Sequence, residues 1–137
     1  MFKKLSIILL SIFCAMNFGV TNAKPLFKGY ADYYELYVHG NNNAVEIVSV
    51  NDRVYPFINN VFGESFKTDI ADFDLDEFFK KFDARLLFTE RIEQGVSYYA
   101  YSPKIAYRQQ VFGQTINLHV FVGGQVTVGS PIIYGSF

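Results

Sequence analysis

Cysteine is almost missing from this chain of 137 residues: Cys14 is the only one, and it stands in an apolar run near the start. A fold stapled by disulfides is therefore excluded. Tryptophan is absent and proline occurs only four times. Positive charge is scarce too, with 12 Lys and Arg against 13 Asp and Glu. Without a basic excess to attract a phosphate backbone, no nucleic-acid partner is expected. The sequence has no Gly-x-Ser-x-Gly elbow, phosphate-binding loop or metalloprotease motif, so nothing in it points to the enzyme classes that carry them, and no cofactor is implied.

What is present begins with a targeting pattern. Lys3 and Lys4 precede an apolar run from Leu5 to Val20, and Thr21-Asn22-Ala23 supplies small residues before Lys24. This order of positive, apolar and small residues predicts a secretory signal over 1–23, cut after Ala23. The run stops at about Asn17, short of the ~20 apolar residues of a spanning helix, so contact with a membrane is expected only through this segment if it is retained. Phe13 is too bulky for the residue before a lipoprotein cysteine, so Cys14 goes with the discarded segment. The expected product is a single secreted domain, 24–137, of 114 residues and net charge about −3.

Aromatics dominate that domain. Of 15 Phe and 10 Tyr, only Phe2, Phe13 and Phe18 precede Lys24, and residues of this kind favour strands because they pack well on a pleated surface. Tyr30–His39 and Ala44–Val50 read as strands around Gly40-Asn41-Asn42-Asn43. Val54–Lys67 reads as an extended stretch interrupted at Pro56, which suits an edge or a bulge. In Asp74–Asp83, Leu75, Phe78, Phe79 and Phe82 form one helical stripe, with Asp74 and Glu77 as a capping box. Strands follow at Arg85–Ile92, Val96–Ser102, Lys104–Val111, Thr115–Val122 and Gln125–Tyr134, separated by short turns. The pattern predicts an α+β fold: a curved antiparallel meander with one amphipathic helix packed on it.

Turn chemistry then assigns faces, since a slip of one residue turns a strand over. A two-residue turn beginning at Gly113 puts Ile105, Tyr107, Val111, Ile116, Leu118, Val120 and Val122 inside, and Arg108, Gln110, Thr115, Asn117 and His119 outside. A three-residue loop Glu93-Gln94-Gly95, with Gly95 left-handed, sets Ile92 against Val96. That places Phe88, Val96, Tyr98 and Ala100 on one face, with Tyr99 and Tyr101 on the other beside Thr89 and Arg91. A two-residue turn at Gln94-Gly95 would exchange the faces.

The second half, with GVSYYAYSPKI, INLHVFV and VTVGSPIIYG, resembles the C-terminal part of the YwmB-like family of exported proteins from Gram-positive bacteria, over about residues 74–137. That family is grouped under a TATA-box-binding-protein-like fold. The resemblance implies a helix on a curved antiparallel sheet outside the cytoplasm, and it brings no catalytic residues with it.

Few residues offer chemistry. Asp72, Asp74 and Asp76 alternate like calcium-loop ligands, but Glu77 stands where the turn glycine belongs and Asp83 falls one residue short of the chelating position. Helix capping explains the same residues. His39 and His119, the only histidines, lack cysteine partners, so no metal site is expected. What remains is a non-catalytic binding module whose outward Tyr99, Tyr101 and Arg91 contact a protein, a peptide or a cell-wall glycan. The competing explanation covers that face with the N-terminal strands and makes the tyrosines a second core layer. The alternative function is a cell-wall-active or other hydrolytic enzyme using Ser97 or Ser102 with His119 and an aspartate.

Overall fold

The computed structural model describes residues 26–134, apart from positions 52, 55, 56 and 59. The expected export segment, its cut after Ala23, and Pro56 lie outside the described residues.

In chain order the elements are β1 (Tyr33–His39), β2 (Val45–Asn51), β3 (Val61–Thr68), α1 (Leu75–Lys81), β4 (Arg85–Ile92), β5 (Gly95–Tyr101), β6 (Gln109–Val111), β7 (Gln114–Ile116), β8 (Leu118–Val122) and β9 (Val126–Ser130). Seven strands make one antiparallel sheet in the order β2-β1-β3-β9-β8-β5-β4, while β6 and β7 pair only with each other. The fold is α+β. The meander is interrupted where β5 pairs with β8, leaving the β6–β7 hairpin as an excursion. The N-terminal strands do not lie across the sheet; they extend it. Within it β3 is interior, with an irregular register against β1 between Tyr37 and Val38.

One line of side chains crosses six strands in register: Val50, Tyr34, Phe66, Val128, Val120 and Tyr98. This face meets α1 because the sequence gives the helix a matching stripe. Phe78 and Phe82 are buried, whereas Leu75 and Phe79 are half-buried. The Asp74 side chain accepts the Glu77 N–H at 3.1 Å, satisfying one donor that the first helical turn leaves open. Seven residues of helix are marginal alone, so this packing holds α1 in place. The segment before β1 closes the same core. Phe27 is fully buried, the Leu26 N–H donates to the Glu64 carboxylate at 3.0 Å, and the Gly29 N–H donates to the Tyr34 hydroxyl at 2.8 Å.

The middle of the opposite face is covered by the chain's own C-terminal segment. Gly129 stands between Ser65 and His119, and a Cβ there would lie 2.7 Å from Ile133 Cγ1. Only glycine lets residues 132–133 rest directly on β9. Tyr37 is fully buried on this face, and its hydroxyl accepts the Tyr134 N–H at 3.2 Å. Burial holds the Tyr37 phenol above its ordinary pKa, partly offset by a hydrogen bond to Ser65.

Candidate functional site

The β4–β5 hairpin turns on two residues, not three: Ile92 pairs with Gly95 and Arg91 with Val96. Gly95 is not left-handed; a side chain there would run into the Val122 carbonyl and lie 2.8 Å from Gly123 Cα. Close approach of the β8–β9 turn, rather than a special φ, requires the glycine. A bulge between Leu86 and Phe88 then shifts the register again. Tyr98 still faces the helix core, because β5 takes its orientation from β8 through Tyr98–Val120. The β4 partners change places. Arg91 and Thr89 lie on the face of Val96 and Tyr98, and Phe88 joins Tyr99. The expected group of Tyr99, Tyr101 and Arg91 is therefore not assembled.

Tyr99 lies between two parallel rings, with Phe88 at 4.6 Å and His119 at 4.3 Å. Both of its faces are occupied, so only its edge meets solvent. Burial raises its phenol pKa; a hydrogen bond with Ser97 opposes this, and the nearby Glu90 charge adds to the rise. Tyr101 is half-buried, and the cation beside it is Arg108. The guanidinium donates to the Tyr101 hydroxyl at 2.7 Å and lies 5.2 Å from the ring centre. Sequence spacing hid this pair because Ser102–Arg108 leaves the sheet and comes back beside β5.

The β6–β7 hairpin also turns one residue earlier than expected, since Val111 pairs with Gln114. Phe112 and Gly113 are the turn residues, at φ 49 and φ 75. Gln110 and Thr115 are cross-strand partners with a side-chain hydrogen bond of 2.6 Å. Phe112 is 78% exposed and stands steeply inclined to the Phe88 ring, at 5.7 Å between ring centres.

Asn117 and His119, expected on a solvated face, are both buried. The chain breaks pairing at Asn117 between β7 and β8. Its side chain accepts the Ser102 N–H at 2.7 Å and donates to the Ser102 and Ile105 carbonyls at 2.6 and 3.1 Å. This satisfies backbone groups of Ser102 and Ile105, the two buried residues of a loop that lacks a ladder of its own. His119 is surrounded by Tyr99, Ser97 and Ile133. The Ile133 N–H donates to Nδ1 at 3.2 Å, and Nε2 lies 2.9 Å from Ser97 Oγ.

That arrangement decides what Ser97 and His119 can do together. An amide N–H can only donate, so Nδ1 is the acceptor and the neutral ring carries its proton on Nε2, aimed at Ser97. A nucleophilic serine needs the reverse, a bare Nε2 to take its proton and an acceptor at Nδ1. Ser97 and His119 are brought together in a geometry that orders the core and does not activate a hydroxyl. Ser102 is fully buried; its hydroxyl donates to the Phe82 carbonyl and accepts the Lys104 N–H. His39 is exposed and stacks on Phe62 at 4.3 Å, in a separate aromatic cluster.

A polar cleft of about 560 Å³ runs between residues 29–32 and the end of β3, and Asp32, Lys67, Asp69 and Asp72 are among the residues that line it. Among the described residues no three His, Cys, Asp or Glu side chains come close enough together to hold a metal ion. Compared with protein-family models, curated proteins and solved structures, the chain matches none.

Proposed function

We propose that this chain is an exported, non-catalytic binding domain of the cell envelope, which contacts a protein or peptide through the tip of the β6–β7 hairpin and the adjoining Tyr101–Arg108 pair. Phe112 is the observation that carries the reading. A type I′ turn wants Asn or Gly where Phe112 stands, and a left-handed φ at a bulky residue is costly. Phe112 accepts that cost and exposes a large apolar ring besides, with most of its surface left in solvent. A position that breaks two local rules with so little packing in return is a candidate for selection by a partner. A peptide or protein suits the surface better than a glycan, because the faces of Tyr99 are closed to a stacking sugar ring. The targeting pattern of 1–23 and the resemblance to YwmB-like exported proteins support the location.

Replacing Phe112 with Asn separates the two explanations of the ring. Relief of the left-handed turn position should raise stability by about 1 kcal/mol, while retention on cell-wall material or on captured surface proteins should fall. Tyr101→Ala should weaken retention with little effect on folding. Undiminished retention in both variants would remove this surface from consideration. Export is checked separately: the secreted product should begin at Lys24 by N-terminal sequencing, and an intact Met1 form held in the membrane would contradict it.

A further inference from the structure

We propose that the β2 edge pairs with β2 of a second copy across a two-fold axis, joining two sheets into one. The two edges of the sheet differ. β4 is blunted by a bulge at Leu87 and carries Arg85, Glu90 and Arg91, the usual devices against unwanted pairing. β2 is seven residues long, pairs with β1 without a bulge and has Glu46 as its only charge. Among the described residues β1 is its only neighbour.

The phase of the free backbone groups follows from one hydrogen bond. The Gly40 N–H donates to the Ala44 carbonyl at 2.7 Å, so 40 and 44 form a bonded pair, as do alternate pairs beyond them: Val38–Glu46, Leu36–Val48 and Tyr34–Val50. Val45, Ile47 and Ser49 consequently turn their N–H and C=O outward. The Asn51 carbonyl already accepts the Val54 N–H.

A two-fold axis through Ile47 sets Ile47 against its symmetry mate and Val45 against Ser49 of the second copy. Three residue pairs with two bonds each give about six hydrogen bonds. Ile47, 44% exposed, meets its mate at the axis, and Val45, 43% exposed, lies against Ser49 of the second copy. Glu46 leans back over Gly40, away from the axis, so no like charges are driven together. Such an interface is self-complementary and closed, which a β2-to-β4 contact would not be. At one hydrogen bond per roughly 100–200 Å², six correspond to roughly 600–1,200 Å², the range of weak association. A weak dimer that dissociates on dilution over the micromolar to millimolar range is expected.

Sedimentation of the secreted protein across that concentration range provides the test, with amide hydrogen exchange as a second readout. The expected result is a monomer–dimer equilibrium in which the Ile47 and Ser49 amides become protected as dimer forms. Ile47→Lys should abolish the dimer without lowering the melting temperature, and Ser49→Pro should do the same by removing an outward donor. A monomer at every concentration up to about 1 mM would overturn the proposal. So would a dimer that survives Ile47→Lys, since another surface would then hold it, or β2 amides already protected in the monomer, since a segment of the same chain would then cover the edge.

Discussion

Phe78→Ala is expected to cost about 3–5 kcal/mol of folding stability. The Phe78 ring lies at the centre of an aromatic cluster, 6.1 Å from Phe27, 5.3 Å from Tyr30, 6.3 Å from Phe66, 5.1 Å from Phe73 and 4.8 Å from Phe82, measured between ring centres. These neighbours come from the segment before β1, from β3 and from both ends of α1, and no single movement lets all of them close the cavity. Small domains have about 5–15 kcal/mol in total, so the variant should unfold at a much lower denaturant concentration. Phe79 shares the same helical stripe but is only half-buried, and Phe79→Ala should cost distinctly less. Equal losses at the two positions, or none at Phe78, would be incompatible with the helix lying on the sheet in this orientation.

Stability should also fall in mild acid because of His119. Burial pushes its imidazole pKa down to about 4, against an ordinary value of 6.5. Folded protein therefore keeps the ring neutral while the unfolded chain takes up a proton. This contribution to stability is fully present above pH ~6.5, is lost progressively down to pH ~4, and changes no further below that. The difference corresponds to about 3 kcal/mol. A proton on Nδ1 would face the Ile133 N–H, so the strain would be felt first where residues 132–133 lie on Gly129. Urea titrations at pH 7 and pH 4 measure the effect, and His119→Gln should flatten it between those limits. An unchanged pH profile in that variant would assign the loss to carboxylates.

What could be read from the sequence were features whose cause lies within a few residues. The Leu75, Phe78, Phe79 and Phe82 spacing and the Asp74 cap define a helix locally, and the structure has it at Leu75–Lys81. The direction of Tyr98 is legible in part: alternation along β5 puts it on the face opposite Tyr99, and pairing with Val120 of β8 makes that face the core. Arg91 lies on the other face because the hairpin turns on two residues rather than three, and one residue turns a strand over.

His119 looked like an ordinary polar-face residue, and no nearby residue signals that the chain returns over it. Its environment is made by Tyr99 on β5, by Gly129 on β9, and by a C-terminal segment that approaches because Gly129 has no side chain. Arg108 met Tyr101 only because the Asn117 side chain anchors the loop between them. The sequence alone determined the secondary-structure types, the helix stripe and the aromatic core, since these depend on periodicity and local hydrogen bonding. Tertiary structure decided the register, which edge stays open and which rings remain exposed, since those depend on backbone approach between strands distant in the chain, where single atoms such as the missing Cβ of Gly95 and Gly129 set the outcome.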